Sequence, residues 1–478
     1  MKTFSLVGIS LLLFVGQPLR AQDAVGGSEN ERLKKLEQAV QKLQQRNSDL
    51  ENQVQQLRAK SPFAPIISGG EAKPVPGNDN KTVFVAPTPP PVNVHPGGSE
   101  YKLTLGGYIQ ANFEDGDVSA FEGRFGTTAL KDRFRLRRAR INLVGDFAEQ
   151  FDFKIEGDFE QSDAAVTAVN KVTLTNGVVT TSTTSTSNRT QFSATDVFIN
   201  WHGIPEANVR VGQWKAPFGL ENLTPDTLIY TIERSLPTGA IVPERQIGAM
   251  IWGKPLTNAV PDLKDLVTYY GGVFNGNGRN FNNNDNNEFL YVGRLELLPF
   301  KGKLMGQEAS LKLGGDFFHS RDETGTNISP SLNLRVNPDG SLTSYVLTSP
   351  AERNAFSFDA WLKVGPFDLI AEYLNEDVNG RGPTAFPDFT TNGYYVQASY
   401  FIVPKKLQAV AKWEHLNPGQ VANDGIESFT GGLNYYVHSD NVKLMANYIH
   451  TWSDFRDANP SFGDSNFDEL ILRLQVLF

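Results

Sequence analysis

In the stretch FDFKIEGDFE, Phe151, Phe153, Ile155, Gly157 and Phe159 fall on one face of an extended chain, while Asp152, Lys154, Glu156, Asp158 and Glu160 fall on the other. One face suits hydrocarbon and the other water. The same alternation returns in YKLTLGGYIQANF from Tyr101, EASLKLGGDFF from Glu308, FSFDAWLKVG from Phe356, SFTGGLNYYVH from Ser428 and NVKLMANYIH from Asn441. Sixteen such segments start near residues 101, 133, 151, 195, 207, 246, 266, 288, 308, 355, 367, 393, 406, 427, 441 and 468. Most run for about eight to thirteen residues, the length a tilted strand needs to cross a bilayer.

The connections are sorted as well. Short ones at Ala148 to Gln150, Gly203 to Glu206, Lys254 to Asp265, Pro299 to Gln307, Gly365-Pro366, Val403 to Lys405 and His438 to Asp440 alternate with longer ones, among them Gln161 to Ala194 and NGNGRNFNNNDNN. Short turns at one end and long loops at the other are the mark of an outer-membrane barrel, and a soluble sandwich has no reason to adopt them. The last segment, ELILRLQVLF, places Leu470, Leu472, Leu474, Val476 and Phe478 on one face and ends on an aromatic residue, which resembles the membrane-insertion signal of bacterial outer-membrane proteins. The pattern predicts an all-β fold, a sixteen-stranded antiparallel transmembrane β-barrel over residues 100–478. At that strand number the interior is wide enough for an aqueous channel.

Residues 1–21 have the charged start, short apolar core and small residue before cleavage of a secretory signal peptide. Over residues 22–60, Leu33, Leu36, Val40, Leu43, Asn47, Leu50, Val54 and Leu57 alternate spacings of three and four, a heptad repeat with Leu at every d position. This predicts a coiled-coil oligomerisation segment, lying in the periplasm once the signal has been read. Its polar Asn47 favours one register, and the heptads alone leave dimer or trimer open. Residues 61–99 are Pro-rich, an extended spacer.

Composition narrows the function. With no cysteine the chain has no disulfide framework, thiolate metal site or cysteine nucleophile. A formal net charge of -9 argues against nucleic acid as a partner. No G-x-S-x-G motif occurs, and His95, His202, His319, His415, His438 and His450 are scattered, so neither an enzyme nor a bound cofactor or metal is expected.

Against the acidic background RFRLRRARINL places Arg133, Arg135, Arg137, Arg138 and Arg140 on one strand. The lipid-facing phase set by Ala139, Ile141, Leu143 and Phe147 turns Arg138 and Arg140 into the lumen. Arg133, Arg135 and Arg137 have the opposite parity, and in one regular phase would face lipid at about 2 to 4 kcal/mol each near the midplane. A β-bulge near Arg137-Arg138 would turn all five inward and leave Phe134 and Leu136 outside. The other possibility is that the first three stand at the outer rim and reach lipopolysaccharide phosphates. By parity Lys154, Arg210, Arg294, Lys312, Lys363, Lys412, Lys443 and Arg473 also face the lumen, opposed by Asp152, Glu156, Asp158, Glu296, Asp316, Asp359, Glu372 and Glu414. Many of these should pair as structural salt bridges.

FRLRRARINLVGDF, RVGQWKAPFGLEN and GAIVPERQIGAMIWG, in this order, resemble the phosphate-selective porin O and P family, and the likeness in layout spans Tyr101 to Phe478. The resemblance implies a trimeric outer-membrane porin, set in the lipid bilayer among lipopolysaccharide, whose arginines and lysines guide small anions such as phosphate. In general porins the third long loop narrows the channel. Here it runs from Lys215 to Arg245, with Glu221, Asp226, Glu233 and Glu244 opposing Lys215, Arg234 and Arg245. Arg138 and Arg140 are the pair expected to contribute most to anion selectivity. The rival reading is a structural protein tethering the membrane to the cell wall through residues 29–57. We expect the purified protein to migrate on SDS gels as an oligomer that becomes monomeric only on boiling. A monomer before heating, and again by light scattering in mild detergent, is the opposing result.

Overall fold

The computed structural model describes Gln45 and residues 101–478, apart from 118–131, 160–168, 176–177, 185–191, 330, 333–334, 337–341 and 384. The predicted signal peptide, coiled coil and linker therefore lie outside the described residues, Gln45 excepted.

Sixteen strands close into one barrel, each antiparallel to its chain neighbours. In chain order they are β1 Tyr101–Gly116, β2 Arg133–Phe147, β3 Phe151–Asp158, β4 Ser193–Trp201, β5 Asn208–Lys215, β6 Arg245–Gly253, β7 Val267–Phe274 and β8 Leu290–Leu304. They continue as β9 Gln307–Asp322, β10 Ala351–Val364, β11 Phe367–Gly380, β12 Phe389–Val403, β13 Leu407–Asn417, β14 Ile426–His438, β15 Val442–Ser453 and β16 Asn466–Leu477. Among the described residues no helix is long and apolar enough to cross a membrane.

The fold follows from the period of two. Leu105, Ile109, Val211, Phe317, Phe358, Tyr400, Leu433, Leu472 and Leu474 stand exposed on the outer wall, whereas Gln110, Asn112, Glu156, Arg294, Lys412 and Arg473 are buried inside. This inversion of a soluble protein is what hydrocarbon outside and water inside demand. β1 and β16 complete the ring, with Tyr108 opposite Leu477 and Gly116 opposite Glu469. Phe478 adds the last link, since its N–H donates to Gly107 O and its carbonyl accepts from Gly107 N, both at 3.0 Å. A side chain at position 107 would collide first with the Arg140 carbonyl oxygen of β2 and then with the Phe478 ring, so glycine there lets β1 approach both.

One expected turn is displaced. The pattern predicts a connection from Pro299 to Gln307, but β8 continues to Leu304 and the turn is Met305-Gly306, with the ladder slipping between Leu297 and Phe300. Pro299 has no N–H to give the ladder, and the irregularity breaks the alternation that would have shown the strand continuing. The excursion after β3 carries a hairpin, Val169–Thr175 with Val178–Thr184, paired only within itself.

Leu472 lies on the outer face of β16 with both strand neighbours in place. Leu472→Arg should lower unfolding stability in lipid vesicles by about 2 to 4 kcal/mol in denaturant titrations. Unchanged stability would mean that this face does not contact hydrocarbon.

Candidate functional site

In β2 the ladder to β1 pairs Gln110 with Arg138 but Ala111 with Leu136, so Arg137 is an extra residue, a β-bulge. The phase of the strand changes there. Phe134 and Leu136 are 86% and 47% exposed on the outer wall, while Arg138 and Arg140 are only 6% and 7% exposed on the inner one. Arg133 donates to Glu114 at 2.8 Å, inside the barrel, Arg135 is half-buried on the same face, and Arg137 donates through two nitrogens to Glu233 at 3.0 and 3.1 Å. All five arginines lie on the inner side.

Glu233 belongs to the segment between β5 and β6, which enters the lumen and is seated against its wall. This loop contains two short helices, α1 Leu220–Leu223 and α2 Leu236–Ile241. Gly219, at φ 79°, makes the bend into α1 and its N–H donates to Asp316 at 3.0 Å. Glu372 then accepts the N–H groups of Leu220 and Glu221 at 2.8 and 3.1 Å. Ser235 caps α2 by accepting from Thr238 N, and Glu414 takes the N–H of Leu236 at 2.9 Å. The wall thus supplies carboxylates to N–H groups that have no partner within these one-turn helices.

Apolar sockets complete the seat. Phe218, Leu236, Ile241 and Val242 join a buried cluster with Met250, Phe274, Phe318, Leu374 and Leu416 of the inner wall. Ile232 packs with Met445, Ile449 and Ile471, and Leu220 with Ile370 and Tyr395. These wall residues have inward parity yet are apolar. That was the available sequence sign of a docked loop, and reading the lumen only for charge passed over it.

The ionic centre is Asp226. Its carboxylate lies 2.7 Å from Arg140 Nη1, 3.4 Å from Arg138 Nε and 3.9 Å from Lys215 Nζ, accepts from Arg234, and meets Tyr108 Oη at 3.2 Å. Burial would raise its pKa, but Arg138, Arg234, Lys215 and Arg140 together hold it well below the usual carboxylate range. Glu233 is held low in the same way against its burial, by Arg137, Arg473 and Arg138, with Arg473 Nη2 at 2.7 Å. Arg140 also reaches Asp158 at 2.7 Å and Glu156 at 3.6 Å.

The other expected lumen residues are inside and mostly paired. Lys154 meets Glu156 and Asp196 at 2.9 and 3.0 Å, Lys312 meets Glu296 at 2.8 Å, and Lys363 sits 3.7 Å from Asp368. Arg294 binds Glu296, Asp316 and Asp359 at 2.6 to 2.9 Å, and Lys412 lies 3.5 Å from Glu414. In the loop, Lys215 donates to Asn222 O at 2.6 Å, Glu221 accepts from Ser235 N at 2.8 Å, Arg234 donates to Glu221 O at 3.0 Å, and Arg245 pairs with Asp196 at 2.8 Å. Arg210 differs. Its guanidinium lies 4.1 Å over the Phe198 ring, and no carboxylate of the described residues is within ion-pair distance.

One residue was passed over entirely. Arg279, in the Asn-rich connection after β7, is exposed, makes no ion pair with any described residue, and is within electrostatic reach of Glu244, Arg245, Arg140 and Asp158. In the sequence NGNGRNFNNNDNN shows only a long connection, and an irregular segment has no parity from which to infer direction.

The sequence matches the family model for phosphate-selective porin O and P over residues 104–478. No curated protein matches it. Among solved structures, the fold is similar to the anion-selective porin from Comamonas acidovorans, with 13% identity and a TM-score of 0.51 over 79% of this chain and 100% of that one. It is also similar to OmpT, an outer membrane protein of Vibrio cholerae in its trimer form, with 10% identity and a TM-score of 0.50 over 79% and 100% of the two chains. At such identities the likeness is one of fold.

Asp226→Asn combined with Glu233→Gln should release the loop tip, with single-channel current noise rising several-fold and limited proteolysis cutting within residues 216–244 of a barrel that stays folded. Acid should do the same to the unaltered protein. Both folded-state pKa values are depressed, so this stabilisation is complete above the ordinary carboxylate range near 4 and is lost as pH falls through it towards the folded values. Noise that rises already between pH 7 and 5 would contradict the assignment.

Proposed function

The chain belongs to the phosphate-selective porin O and P family, and from that premise we propose that it forms a water-filled, anion-preferring channel for passive diffusion of small solutes such as phosphate across the bacterial outer membrane. The observation that carries this reading is the closure of sixteen strands around an interior of charged and hydrogen-bonding side chains. We assign the chain to a homotrimer, and residues 22–60 to a periplasmic oligomerisation segment.

Anion preference requires positive charge that is not already balanced. The interior is rich in carboxylates, and most inward cations are matched by them, so counting charges decides nothing. Arg138 and Arg140 are shared among Asp226, Asp158 and Glu156. Their main work is to hold the loop, and a passing ion meets only the remainder of their charge. Arg279 carries its charge without an ion pair to any described residue, beside the end of that network, and is the stronger candidate for drawing anions in. An arginine fork suits phosphate because it offers paired donors and stays charged at any cellular pH. The family's description as phosphate-selective and the description of a porin of similar fold as anion-selective agree with this reading.

Reversal potentials across a salt gradient, in chloride and then in phosphate, test it. An anion preference is expected that falls by up to about fivefold in Arg279→Gln, corresponding to ~1 kcal/mol at contact distance in water. The loss should be largest in dilute electrolyte and hidden at 1 M, where the screening length is about 3 Å. A channel preferring cations would refute the function, and a larger loss in the Arg138→Gln, Arg140→Gln double variant would return selectivity to the arginine strand.

A further inference from the structure

Nearer the short turns the lumen has an aromatic wall that neither the loop seat nor the arginine strand explains. On β4 to β7 the inward positions include Phe198, Arg210, Trp252 and Tyr270. The rings of Trp252 and Tyr270 are stacked, 6.2 Å apart at 13° between planes, and both are half-buried at the edge of the apolar cluster. Each is fixed by its polar end: Trp252 Nε1 donates to Asn200 Oδ1 at 3.1 Å and the Tyr270 hydroxyl donates to Glu296 at 3.4 Å.

Arg210 stands beside this pair. It is opposite Met250 in the ladder, so Trp252, two residues further on, is its diagonal neighbour, with the two backbone positions about 7 to 8 Å apart. Its guanidinium lies 4.1 Å from the Phe198 ring centre and 5.8 Å from that of Trp214. Its Nε is buried without a hydrogen-bond partner, and no described carboxylate is within ion-pair distance. Lys154, Arg294, Lys312 and Lys363, inward cations of β3, β8, β9 and β10, all have acidic partners. A guanidinium backed by an aromatic face keeps donors along its edge for an incoming anion.

We infer that this wall is a subsite for anions that carry a flat apolar ring, of the benzoate type. The ring lies against Trp252 and Tyr270, and the carboxylate meets Arg210. Such a molecule carries its charge and its ring together, as Arg210 and its diagonal neighbour Trp252 stand together on this wall. The subsite depends on the barrel conducting as an open channel, and its test is chosen to separate the two.

Single-channel currents are recorded in chloride with benzoate, acetate or inorganic phosphate added at matched ionic strength. Benzoate should interrupt the current at millimolar concentrations at which acetate, equal in charge but lacking a ring, does not. Trp252→Ala should raise the half-blocking concentration of benzoate about fivefold and leave the response to acetate and phosphate unchanged. Arg210→Gln should abolish the block, and Arg210→Lys should restore part of it. Equal responses to benzoate and acetate in the unaltered protein, or a block unaffected by Trp252→Ala, overturn the subsite while leaving the anion channel standing. An absence of conductance steps overturns both.

Discussion

Burying an arginine is tolerable only when something answers its charge, and inside this barrel Asp226 answers for several. Arg138, Arg140, Arg234 and Lys215 converge on that one carboxylate, and Glu233 serves Arg137 and Arg473 in the same way. Removing one member would leave charge stranded at low dielectric, so the group acts as a unit. The loop remains inside because the strand is basic, and the basic strand tolerates burial because the loop is acidic.

That reciprocity gives the lumen two regions. Towards the loop the polar groups are tied to one another and to backbone N–H groups, as with Glu372 at α1 and Glu414 at the start of α2. Beyond it lie side chains whose bonding capacity is incompletely used, such as Arg210 on its aromatic support and exposed Arg279. In the channel proposed, a scaffold tied by its own ion pairs and, among the described residues, cations left with bonding capacity would favour transit over capture.

The barrel was legible because lipid and water impose a period of two on every strand, and each segment repeats the test independently. The position of the bulge was legible for a related reason. Phe134 and Leu136 cannot share a phase with Ile141 unless one residue is skipped, and Arg137 is the residue skipped. The seat of the loop was not legible. The sequence shows that Met445 and Ile471 point inward, but only three dimensions reveal that Ile232 fills the space between them. The pairing of Asp226 with arginines more than eighty residues away is equally non-local, since parity gives direction and never partners. Arg279 was missed because it lies where there is no parity to read.

The bulge at Arg137 also bears on how this wall can change. Ordinary substitutions alter one position at a time, but loss of a single residue here would reverse the facing of everything between the bulge and the start of β2. Two bulky hydrophobic side chains and two arginines would change sides in one mutational step. A single-residue gap is therefore a far more drastic lesion in this strand than an exchange of side chain that preserves its length.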